Sequence, residues 1–89
     1  MKKKISEHIA EELDIEKDII MNIPRLSIVG NREIYIENYR HITEYTSECI
    51  AVKTNDYILK IEGAELNLRY ITKEDLKITG IFAQINFTH

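Results

Sequence analysis

Few residues in this 89-residue chain have the type and spacing for chemistry. His8 and Glu12 stand four apart in "HIAEE", so a helix would put both on one face. A zinc-protease helix needs a second histidine in that frame, and one imidazole with one carboxylate is too few ligands for a structural zinc. His41 is isolated and His89 is terminal. Glu37, Arg40 and His41 form the one polar cluster that could serve a ligand, and it would need a concave pocket around it. Ser6, Ser27 and Ser47 lack a nucleophile-elbow context, and no glycine-rich phosphate loop occurs. The carboxylate pairs Glu11-Glu12 and Glu74-Asp75 read as a solvated helix face and a turn. Cys49 is the sole cysteine, which excludes an internal disulfide, and its strand-like surroundings make it a small packed hydrophobe. These residues predict no catalytic set, no metal site and no cofactor.

Charge narrows the partner classes. The chain carries net charge −3 with acids and bases interspersed. A nucleic-acid binder needs a basic stripe to neutralise phosphates, and the one basic run, Lys2-Lys3-Lys4, reads as a solvated start. Tyr35 lies between Glu33 and Glu37, which opposes base stacking there. No run approaches the roughly 20 apolar residues of a membrane-spanning helix. Segment 5–13 is interrupted by Glu7, Glu11 and Glu12, so it does not read as a signal peptide, and a cytoplasmic protein is expected.

The elements that must position these residues change character along the chain. Ile5, Ile9 and Leu13 recur at helical spacing, predicting a short helix within 1–18. From 19 to 89, β-branched and aromatic residues alternate with polar ones, and Gly, Asn and Asp punctuate them. Pro24 makes 19–22 a lead-in to the first strand. Strands are predicted over Arg25–Val29, Glu33–Glu37, 41–46 and 48–54, and then in two longer C-terminal runs. Gly30-Asn31 and Asn55-Asp56 read as tight hairpin turns. The predicted fold is mainly β: an N-terminal helix, then an antiparallel β-meander, in one domain. A stacked β-solenoid is the alternative, but two-residue reversals favour the meander.

One phrase recurs: "LSIVGN" from Leu26, "LKIEGA" from Leu59 and "LKITGI" from Leu76. After Gly63 the apolar positions move from odd (Leu59, Ile61) to even (Leu66, Leu68). After Gly80 they move from even (Leu76, Ile78) to odd (Ile81, Ala83, Ile85, Phe87). A one-residue phase change throws side chains to the wrong face unless a bulge or bend absorbs it. Gly63 and Gly80 are therefore expected to be structural glycines at strand corners.

The stretch "IPRLSIVGNREIYIENYRHI", residues 23–42, resembles the start of the YabP/YqfC family of sporulation proteins, nearer the YqfC branch. Pro24-Arg25, Gly30-Asn31, and Ile36-Glu37-Asn38 followed by Tyr39-Arg40 carry the resemblance, and "ILKIEGAELNLRYITKEDLKITGIF" continues it. The resemblance implies a protein made in the mother cell of endospore-forming Firmicutes, located in its cytoplasm or peripherally at the forespore membrane. It implies a membrane-anchored sporulation protein of the YqfD type as partner, and it supplies no catalytic residue. The function expected is a non-enzymatic assembly or interaction module at the forespore membrane or developing envelope. A small ligand-binding or enzymatic β-domain and a nucleic-acid regulator are the rivals. Pro24, Arg25, Gly30, Asn31, Glu37, Asn38, Tyr39 and Arg40 form the candidate interaction or structural motif. Within it, Asn38 is expected to turn the chain, and Glu37 to bond nearby backbone donors or Arg40.

The last run, "GIFAQINF", has no charge or proline to blunt an edge strand. Residues 81–87 are therefore expected to pair centrally, or to form an edge covered by another chain. A homo-oligomer or strand addition to the partner would follow.

Overall fold

The computed structural model describes residues 23–89. The helix expected within 1–18, and the lead-in 19–22, lie outside the described residues. Six strands follow: β1 (Arg25–Val29), β2 (Glu33–Glu37), β3 (Tyr39–Tyr45), β4 (Cys49–Thr54), β5 (Ile58–Ile71) and β6 (Asp75–Thr88). All paired neighbours are antiparallel, which excludes the stacked solenoid.

Local chemistry makes each reversal. In the first hairpin, Leu26 pairs with Ile36 and Ile28 with Ile34, so alternation puts four apolar side chains on one face. Gly30 has φ +57°, and the Arg32 N–H donates to the Val29 carbonyl at 3.2 Å. Val29 pairs with Glu33, so the loop takes three residues, Arg32 included, rather than Gly30-Asn31 alone. The other three hairpins share a different device. Thr46, Thr54 and Thr72 each open a turn, and each hydroxyl oxygen accepts the N–H three residues on, from Cys49, Tyr57 and Asp75, at 2.9, 3.0 and 2.9 Å. Each threonine N–H donates back to the carbonyl of that same residue. An acid stands two residues after each threonine: Glu48, Asp56 and Glu74.

The strand order is β1-β2-β6-β5-β4-β3. Only β3 to β6 run as a meander, and the expected simple meander is corrected at β2. That strand's second neighbour is β6, through Ile36↔Leu76 and Ile34↔Ile78, and not β3. Yet Asn38 alone separates β2 from β3. In a flat sheet those two strands would stand about 19 Å apart, four spacings of about 4.8 Å. Two Cα–Cα steps reach only about 7.6 Å. The sheet must therefore fold over until its ends meet, with the long strands β5 and β6 turning the corner.

The pairing shows two halves. β1 and β2 lie along the start of β6 (Asp75–Thr79), which pairs with the end of β5. β3 and β4 lie along the start of β5 (Ile58–Glu62), which pairs with the end of β6. Ile34 and Ile36 from one half share a core with Ile50, Val52, Leu59 and Ile61 from the other, all fully buried.

The corner answers the repeated phrase. In β5, Glu65 (φ +57°) is the extra residue of a register shift between Ala64 and Asn67. In β6, Ala83 is the extra residue of a shift between Phe82 and Gln84. The apolar phase thus changes at Glu65 and Ala83, not at the glycines. Phe82 keeps the even phase and is buried at 8% exposure, whereas Ile81, expected inside, is 37% exposed. Gly63 and Gly80 sit just before the bulges and face the opposing strand's backbone. A Cβ on Gly63 would collide with the Ile81 carbonyl oxygen, and one on Gly80 would lie 2.9 Å from the Glu65 carbonyl oxygen. The glycines are what lets β5 and β6 cross closely while bending.

Candidate functional site

The motif residues gather around the β2–β3 corner. Asn38 sits at φ 67°, which asparagine tolerates better than most residues. Its N–H donates to the Glu74 carbonyl at 2.7 Å, and the Tyr39 N–H shares that acceptor at 3.3 Å. The Asn38 side-chain amide donates to the Ile23 carbonyl at 3.1 Å, and the Tyr39 hydroxyl donates to the Thr72 carbonyl at 2.6 Å. Together they fasten the corner to the segment entering β1 and to the β5–β6 turn. Arg40 Nε donates to Asn55 Oδ1 at 2.8 Å, reaching the β4–β5 turn.

Pro24 is buried just ahead of β1. Arg25 and Glu37 are cross-strand neighbours, and Glu37 faces Asp75 on its other side. Among the described residues, the Glu37 side chain makes no hydrogen bond or ion pair; the expected contact with Arg40 is replaced by the Arg40–Asn55 bond. Gly30 and Asn31 lie at the far end of the β1–β2 hairpin, where the Asn31 carbonyl accepts the Phe82 N–H at 2.8 Å. The structure thus brings Asn38, Tyr39 and Arg40 together and leaves Gly30-Asn31 at the opposite end.

A recess of about 100 Å³ lies against Asn38, Tyr39, Arg40, Asn55 and Glu74. Small-molecule sites start at about 300 Å³. His41 and Glu37 do not line it. A wider depression of about 320 Å³ lies over the glycine corner between Arg32, Glu33, Glu65 and Thr79, on the polar outer face. Among the described residues no three His, Cys, Asp or Glu side chains approach closely enough to hold a metal. Desolvation raises the Cys49 pKa above the ordinary thiol value, and the Glu44 carboxylate adds to the rise. That rise favours the thiol over the more nucleophilic thiolate.

Two features escaped the sequence reading. The threonine turns were marked by a Thr-x-acid spacing at three reversals. Tyr45, at the end of β3, donates its hydroxyl to Asn67 Oδ1 at 3.3 Å and accepts the Leu68 N–H at 3.2 Å, covering an edge of β5. No sequence signal marks Tyr45, because its partner lies 23 residues away.

The fold and site define a small folded-over antiparallel β protein whose motif residues bond mainly to its own backbone. The family model described as the YabP family matches residues 22–89, and the chain belongs to that family. It is also similar to YqfC of Bacillus subtilis (strain 168), itself described as uncharacterized. The two are 23% identical over 86 residues, covering 97% of this chain and 92% of the relative. Family membership supports a sporulation-related protein. Among the described residues no helix is long and apolar enough to cross a membrane.

Proposed function

We infer that the protein is a non-enzymatic interaction module of sporulation. It acts in the mother cell, at the forespore membrane or the developing envelope, with a membrane-anchored protein of the YqfD type as its partner. One observation carries the reading. The polar groups of Asn38 and Tyr39 bond backbone carbonyls within the fold, and the recess beside them is too small for a substrate. A motif used to fix a corner sets the shape of a surface, and a surface of fixed shape is what an assembly partner recognises.

The test is affinity capture of the tagged chain from sporulating cells, with and without the YqfD-type protein. Capture that depends on that protein supports the reading. Turnover of a defined small substrate by the purified chain, lost on changing one polar residue, would replace it with an enzymatic one.

A further inference from the structure

The two halves of the fold are related by an approximate internal two-fold. Ile34 and Ile36 on β2 pair with Ile78 and Leu76 on β6, as Ile50 and Val52 on β4 pair with Ile61 and Leu59 on β5. The carbonyls of Arg32 and Asn31 accept from Gly80 and Phe82. Those of Glu48 and Ser47 accept from Gly63 and Leu66. Among the described residues, each half ends in the far portion of a long strand whose outer side has no strand neighbour: the end of β5 in one half, the end of β6 in the other.

Those two equivalent edges are treated differently. On β5 the outer edge is capped by the Tyr45 hydroxyl at Leu68, carries Arg69, and is kinked where Arg69 is extra in the register. The position matching Tyr45 in the other half is Ile28, which pairs with Ile34 as Tyr45 pairs with Ile50. Isoleucine has no hydrogen-bonding group to offer. Ile28 is 50% exposed. Along this edge a groove of about 210 Å³ is lined by Gly30, Asn31, Phe82, Ala83, Gln84 and Ile85. Among the described residues, no hydrogen bond reaches the outer side of β6 beyond Phe82. The outermost strands of the sheet are also blunted. β3 has two register shifts and carries Arg40 and Glu44, and β1 is five residues long. Beyond the Ala83 bulge, residues 84–88 run regularly and carry no charge. Proteins normally protect such an edge.

We propose that residues 83–88 of β6 form a self-docking edge that takes the same strand of a second copy, antiparallel and about a two-fold axis. This rests on the reading of the protein as an interaction module and names one of its surfaces. The strand complements itself. If the axis lies at Ile85, between Ile85 and Asn86, or at Asn86, Phe87 falls opposite residue 83, 84 or 85 of the other copy. All three line the groove. Phe87 is 52% exposed and held edge-on against Tyr57 at 4.9 Å between ring centroids. Pairing therefore carries an exposed aromatic ring to an open groove, twice. A two-fold axis sets each residue near its own copy, which penalises charged strands, and this one has no charge to penalise.

Sedimentation velocity of the full chain over a concentration series tests the proposal, with Asn86→Lys and Asn86→Glu beside the unaltered chain. Asn86 is exposed, and among the described residues its side chain bonds only to Gln84. Thermal melts should therefore match, which separates loss of docking from loss of folding. The expected result is a concentration-dependent dimer for the unaltered chain and at least a tenfold weaker dimer for each variant alone. Mixing the lysine and glutamate variants should recover the dimer. A chain monomeric at every concentration, or a dimer indifferent to both variants, overturns the self-docking edge. Affinity capture with Asn86→Lys keeps the two readings apart. If that variant still retains the YqfD-type protein while the self-docking result is negative, the module reading stands and this edge falls.

Discussion

At Gly63 a single hydrogen atom decides whether the two long strands can cross. An added methyl would drive into the Ile81 carbonyl oxygen, a backbone atom that cannot swing aside. At Gly80 the nearest atom to an added methyl is the Leu66 Cδ2 at 2.8 Å, which can rotate, although the Glu65 carbonyl at 2.9 Å cannot. Gly63→Ala should therefore destabilise by roughly 3–5 kcal/mol, and Gly80→Ala by roughly 1–3 kcal/mol. Urea denaturation of both variants checks the ranking, and equal costs would show that the corner yields more easily than its geometry implies. The sequence pointed to these glycines through the phase changes beside them but misplaced the changes themselves. Alternation reports that one residue is extra without saying which one; here it is Glu65 or Ala83, two or three positions on. Glu37 shows the opposite failure. Its place in the motif suggested a bond to Arg40, but strand alternation turns it toward the face shared by Arg25 and Asp75.

The strands were legible as elements because period-two patterning is local. Arg25–Val29 and Glu33–Glu37 follow from their own residues. What period two fixes is the face a side chain takes, not the neighbour a strand takes, so the pairing of β2 with β6 across 40 residues was out of reach. The turns were legible as polar breaks, but their threonines were not singled out. Thr54 is the one to test, since it is 3% exposed while Thr46 is exposed. Its hydroxyl donates to the Tyr57 carbonyl at 2.7 Å and accepts from the Asp56 and Tyr57 N–H groups. Thr54→Val keeps the shape and removes all three bonds, leaving donors without a partner near the core. It should cost about 1–3 kcal/mol. Thr46→Val, where water replaces the lost partner, should cost less than about 1 kcal/mol. Paired thermal melts read the difference, and equal losses would mean that the turn bonds matter little beside strand pairing.

At the scale of the molecule, the shared hairpin makes the two halves one unit. β5 and β6 each begin in one half and end in the other, so neither half can open without pulling on the strands of its counterpart. The residues at the crossing are Leu66, just after the Glu65 bulge, and Phe82, just before the Ala83 bulge; they are 4% and 8% exposed. Phe82 packs into the same core cluster as Ile34 from β2 and Ile50 from β4. Phe82→Ala should therefore cost roughly 3–5 kcal/mol, the range for removing a buried phenylalanine ring. The place of the loss is the sharper test. Native-state hydrogen exchange should show protection falling by the same free energy at Ile34 and Ile78 in one half and at Ile50 and Ile61 in the other. That is the behaviour of a single cooperative unit. If protection falls in one half and is retained in the other, the halves are separate folding units joined by a hinge. The corner glycines would then serve motion rather than close crossing.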